Sequence, residues 1–174
     1  MKKIFFIIAI LNIGLYANAQ TYNAEIKFYI QNLGATVEGT LQGFEGDINF
    51  NAENPGSSGI MASVDVSTIS TGINMRDNHL QAKKFFHVEE HPEIIMKSRE
   101  IIKQADGSFL GTFDLTIKGT TKAVEVPFTY SKSSNTETFS GSFTINRRDF
   151  DVGGALVPSG DEVEVEIGVV RFGG

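Results

Sequence analysis

Beyond its first twenty residues the chain alternates apolar and polar side chains almost without interruption, and a period of two belongs to a β-strand with one buried face. Ile26, Phe28 and Ile30 share one parity, as do Val37, Gly39 and Leu41, then Phe44, Gly46, Ile48 and Phe50. Glu25, Lys27, Glu38, Asp47 and Asn49 stand opposite them. The pattern returns as Ile60, Ala62, Val64 and Val66, as Ile94, Met96 and Ser98 after Pro92, and as Phe109, Gly111, Phe113, Leu115 and Ile117 after the turn Asp106-Gly107. Val124, Val126 and Phe128 follow, then Phe139, Gly141, Phe143 and Ile145, and finally Val163, Val165, Ile167 and Val169. About eight short strands, each with one apolar face, predict an all-β domain that closes into an antiparallel barrel or packs as two sheets. The periodicity leaves both open.

One long break, roughly residues 74–91, holds Leu80, Phe85 and Phe86 among charged neighbours. It predicts a short helical segment over one end of the sheet, with Asp77 or Asn78 as its cap. No internal repeat or linker divides residues 20–174, so they read as one domain.

The first nineteen residues read as a secretory signal peptide: Met1-Lys2-Lys3, an apolar run from Ile4 to Leu15, then Ala17-Asn18-Ala19 as a small-residue cleavage site. The run is too short for a bilayer span, which takes about 20 residues. Cleavage is expected after Ala19, with export to the periplasm or beyond. That leader carries two lysines and no acid, so its loss moves the formal net charge from -6 to -8. An acidic chain lacks the clustered Lys and Arg that nucleic-acid backbones require. The absence of Cys excludes disulfides, thiolate metal sites and thiol nucleophiles, and leaves nothing at the processing site to acylate. No later apolar run is long enough to span a membrane.

Four glycines, Gly39, Gly46, Gly111 and Gly141, fall on the inward parity, two of them within Phe-x-Gly-x-Phe. They can let strands bend, or let a neighbouring phenylalanine lie across the backbone. They can also leave room for a long apolar cavity, because a barrel of about eight strands either fills itself or holds one ligand. The expected wall is Phe28, Phe44, Phe50, Met96, Phe113, Leu115 and Phe143, with space opened by Gly111, and Leu80, Phe85 and Phe86 at a lid or mouth. A barrel with a filled core that binds another protein is the bland alternative. Arg147, in phase with Phe143 and Ile145, should point inward, where an unpaired charge is costly. Its partner is expected in Asp77 or Asp149, or in the polar head of a ligand gripped by the guanidinium fork. Arg76 and His79 are weaker candidates for the same task.

His87-Val88-Glu89-Glu90-His91 matches H-x-x-E-H, a zinc-protease signature, and keeps a metal-dependent hydrolase as an alternative. That chemistry needs both histidines on a stable helix, whereas Pro92 biases His91 away from helical backbone. No catalytic residue or metal site is therefore assigned. No G-x-S-x-G elbow or phosphate-cradling glycine pattern occurs, and Glu162, Glu164 and Glu166 alternate with valines as solvated outer charges.

The stretch Arg76-Asp77, His79-Leu80, Phe85-Phe86, Pro92 and Lys97-Ser98, with Leu115 to Lys122 and with Arg147, Asp149 and Phe150, resembles the YceI-like, polyisoprenoid-binding family. The chain departs from that pattern at Gln31-Asn32-Leu33-Gly34, at Met96 and at Asp151. The resemblance implies a lipocalin-like barrel, exported, often dimeric, that encloses an isoprenoid or similar amphiphile such as a quinone. It implies a binding protein rather than an enzyme, with the lipid as its ligand and no cofactor.

Overall fold

The computed structural model describes residues 21–154 and 159–173; the expected leader and its cleavage point lie outside them. Eight strands are present among the described residues: β1 (Thr21–Asn32), β2 (Ala35–Asn49), β3 (Gly59–Ser70), β4 (Glu93–Lys103), β5 (Phe109–Ile117), β6 (Thr120–Lys132), β7 (Thr136–Asn146) and β8 (Ser159–Phe172). Each pairs antiparallel with its neighbours in sequence, and β8 returns to β1, so the sheet closes into an up-and-down barrel. That closure resolves the choice between barrel and sandwich.

The alternation works as the physics of the pleat requires. In β5, Phe109, Gly111, Phe113, Leu115 and Ile117 are all buried, and the residues between them are half-buried. Where the sequence changes parity, the ladder slips. The apolar set in β2 moves from odd to even numbers, and the β2–β3 register shifts between Gln42 and Glu45 around Gly43, whose φ is +68°. A Cβ there would stand 2.8 Å from that of Asp65, so glycine suits both the left-handed backbone and the close approach. A second slip, between Ser98 and Glu100, returns Ile101 to the interior, where it is 2 % exposed.

The two ends of the barrel are built differently. At one, β2 runs out into Phe50, whose ring lies 5.1 Å from that of Phe109, 5.4 Å from Phe139 and 4.7 Å from Tyr130, with Phe109 stacked on Phe128. This aromatic plug is bordered by the buried Glu137 carboxylate, which accepts from Tyr130 Oη at 3.0 Å and pairs with Lys132 at 3.1 Å and with Arg171. At the other end, the crossover from β3 to β4 carries one helix, α1 (Asn74–Gln81), followed by turns.

The helix begins earlier than the sequence suggests. Its N-cap is Ile73, with no side-chain cap, so Asp77 and Asn78 lie within the helix instead of starting it. The Asp77 carboxylate turns back to accept the Thr71 N–H at 2.9 Å and the Thr71 hydroxyl. Arg76 donates from Nε to Thr71 Oγ1 at 2.7 Å and from Nη2 to Thr71 O at 2.8 Å. Asp77 is thereby spent on latching α1 to the end of β3, which a cap position could not do. Among the described residues no helix is long and apolar enough to cross a membrane.

Candidate functional site

Between the plug and α1 the inward faces line a partly open cavity of about 270 Å³. Its wall is almost wholly apolar. Phe28, Phe44, Met96, Phe113, Leu115 and Phe143 line it, and Leu80, Phe85 and Phe86 close over it from α1 and the turns behind. Phe86 packs both against the Ile26–Leu41–Val64 side of the core and against the Phe113–Phe143 side, bridging the mouth. Phe85 sits beside Gly153 and the Arg147 guanidinium, and the Gly153 N–H donates to Lys84 O at 3.0 Å. The covering segment is thus tied to the loop after β7.

Two of the residues expected on the wall do not line it. Phe50 belongs to the plug, beyond the floor that Phe128 and Phe139 supply. Gly111 contributes no open space at its own position: a Cβ there would lie 2.3 Å from the Phe113 ring. The same arrangement occurs at Gly39, where a Cβ would meet Cζ of Phe28, its cross-strand partner. Each glycine lets a phenyl ring lie back against the barrel wall. At Gly39 and Gly111 the structure therefore shows a phenylalanine lying across the backbone, and a ring that lies back in this way keeps out of the middle of the barrel.

Polar groups gather at the α1 end. Arg147 is 6 % exposed and points inward as its parity requires. Its ion-pair partner, however, is Asp161 at 3.0 Å, and neither Asp77 nor Asp149. The remaining donors go to carbonyls: Nε to Gly160 at 2.8 Å, Nη1 to Val152 at 2.7 Å and Gly154 at 3.1 Å, and Nη2 to Ser159 at 3.3 Å. A guanidinium has five N–H groups, and all five are engaged. The residue borders the cavity, yet its donors all go to residues 152–154 and to the start of β8. Arg76 also lines the cavity, and beyond its two bonds to Thr71 it retains donors. His79 is exposed on α1 and does not border the cavity.

Sequence reasoning missed Asn32. It closes β1 at the same end of the barrel, lines the cavity, and its buried Oδ1 accepts no hydrogen bond. Buried polar atoms are nearly always satisfied, so an orphan acceptor in an apolar cavity marks where a ligand donor would fit. Leu33, Ile73 and Met75, all exposed, flank this mouth on the β1–β2 turn and the start of α1. An apolar lumen that is plugged at one end and has sparse polar groups at the other can take up the tail of an amphiphile and meet its head.

A YceI-like domain is matched over residues 18–170, nearly the whole of the described barrel. The chain belongs to the YceI-like family. Among its relatives, a UPF0312 protein of Ectopseudomonas mendocina is 27 % identical over 157 residues, covering 86 % of this chain and 82 % of that one. Two solved structures share the fold. BcnA of Burkholderia cenocepacia superposes with a TM-score of 0.80 at 24 % identity, over 84 % of this chain and 95 % of BcnA. A polyisoprenoid-binding domain from Saccharophagus degradans, implicated in plant cell wall breakdown, superposes with a TM-score of 0.66 at 11 % identity, over 90 % of this chain and 99 % of that one. The YceI-like barrel expected from the motifs is the barrel observed.

Proposed function

We propose that this YceI-like protein is a carrier or scavenger that shields an isoprenoid-type amphiphile, a polyisoprenoid or an isoprenoid quinone, from water inside the barrel. It acts after export and cleavage near Ala19, in the periplasm or outside the cell, as a binding protein and not an enzyme. The observation that carries this reading is the apolar lumen of about 270 Å³, floored by aromatic rings and roofed by Leu80, Phe85 and Phe86. The polyisoprenoid-binding domain that shares the fold supports the ligand class.

The chemistry fits the wall. Burial is worth about 0.8 kcal/mol per CH₂, so a few prenyl units supply useful affinity without specific polar contacts. Drug-sized pockets run from roughly 300 to 1,000 Å³, so a lumen of about 270 Å³ suits a chain segment of a few prenyl units. Arg76 and the Asn32 carbonyl then stand near the head. The test is detergent-free purification of secreted residues 20–174, with native and denaturing mass spectra compared. A discrete non-covalent mass that extracts into organic solvent is expected. Bare protein that also refuses offered prenyl lipids and quinones would overturn the reading.

A further inference from the structure

The H-x-x-E-H stretch has no part in the lipid site, and its geometry points elsewhere. The chain does not continue as a helix there. After Phe86 it makes a single isolated turn, in which Glu90 N–H donates to His87 O at 3.0 Å and His91 N–H to the same carbonyl at 2.9 Å. One such turn sets positions i, i+3 and i+4 side by side. His87 Nε2 and Glu90 Oε1 are 3.5 Å apart, and the two imidazoles lie with centroids 5.8 Å apart at an interplanar angle of 79°. A ligand atom from each of the three residues lies within 4.8 Å of the others.

We propose that His87, Glu90 and His91 form a binding site for a divalent transition-metal ion of the zinc type. Two imidazole nitrogens and one carboxylate oxygen are a donor set that suits zinc, copper(II) or nickel(II) and is poor for calcium or magnesium. Zinc bonds of about 2.0–2.2 Å place ligand atoms on the order of 3.4 Å apart, so the His87–Glu90 spacing already fits. His91 comes within 4.8 Å of the other two ligand atoms, so its half-buried ring has to turn inward on metal binding to complete the set. The backbone also speaks for a built feature. His87 has φ +53°, a left-handed conformation uncommon for a side chain this large, held by its N–H on Ala82 O at 3.2 Å and by the two bonds to its carbonyl. The His91 ring rests over Gly119 in the β5–β6 turn, where a Cβ would approach within 2.9 Å of Cε1. Glu90, with its side chain two-thirds exposed, leaves the approach open to solvent.

This arrangement differs from a zinc protease. There the glutamate of the motif stands off as a general base, whereas here Glu90 faces His87 as a ligand and the open coordination positions face water. The site binds metal and anchors the turn just beyond Phe86. Zinc titration of the whole cleaved protein at pH 7.5, by calorimetry and by competition with a chromogenic chelator, tests it. One equivalent should bind with micromolar or tighter affinity, and cobalt(II) should give the visible absorption of a low-coordinate site. His91→Ala, and His87→Asn, which tolerates the left-handed backbone, should each weaken zinc at least about tenfold with the circular dichroism unchanged. His79→Ala should leave it intact. Affinity weaker than micromolar, or equal binding by the His91→Ala and His87→Asn proteins, would overturn the proposal. Lipid uptake is read separately, so the two assignments stand or fall independently.

Discussion

The two ends of the barrel solve opposite problems with the same alternating strands. At the plugged end, phenylalanines point at one another, and Phe50 reaches four rings. At the α1 end, Phe28 and Phe113 lie flat over glycines and leave the middle empty. One end therefore supplies stability, through close-packed aromatic contacts, and the other gives up some packing around the lumen where the proposed guest would lie.

The largest expected effect separates these roles. Phe50→Ala should cost about 3–5 kcal/mol in denaturant unfolding while uptake of a prenyl ligand survives, because Phe50 does not touch the lumen. Loss of uptake without loss of stability would place the ligand at the wrong end. Arg147→Met should cost roughly 1.5–3 kcal/mol, since four carbonyls and Asp161 lose their donor. A head-group role would instead show as weakened ligand binding at unchanged stability. Gly111→Leu should cost about 1–3 kcal/mol and abolish uptake by driving the Phe113 ring off the wall into the lumen, with the barrel's circular dichroism retained. Unchanged uptake would sink the role given to the glycine–phenylalanine pairs. Phe86→Ala, on a half-buried ring of the roof, should change stability by about 1 kcal/mol and speed ligand release in stopped-flow exchange.

The smallest effect belongs to neither end. On β5, the hydrogen bond from Arg99 holds the Asp114 carboxyl below its ordinary value. Its stabilising contribution is therefore present above the usual carboxylate range and fades as pH falls through the lowered value. Asp114→Asn should lower the thermal midpoint slightly at pH 7 and by less at pH 2. An equal shift at both would mean that the pair acts through something other than charge.

Parity made the faces legible. Phe28, Met96, Phe113, Leu115 and Phe143 were expected inward and line the cavity. What parity does not encode is height along the axis. Phe44 and Phe50 share a face, but six residues of strand at about 3.3 Å each carry Phe50 roughly 20 Å further, into the plug. Nor does it show what fills the space a glycine leaves, which at Gly111 is a ring from the same strand. The partner of Arg147 was obscure because Asp161 lies fourteen residues on, across the β7–β8 loop, whereas Asp149 is near in sequence but not in the ion pair. Asn32 reads as an ordinary residue before a Leu-Gly turn, and only the closed barrel turns its carbonyl into a lone acceptor.

Seven of the eight strand pairings join neighbours in the chain, one of them across the α1 crossover, whereas the eighth joins β1 to β8. Across that seam Tyr29 Oη donates to Glu166, 137 positions away. Closing so long a loop carries a larger entropic cost than any of the pairings between neighbouring strands, although that cost grows only as the logarithm of loop length. The lumen has no inside unless β8 is seated, so a guest that recognises the closed barrel requires all eight pairings. Binding of the proposed guest would withdraw molecules from the open form and so stabilise that seam. Lipid and final strand would act as two halves of one closing event.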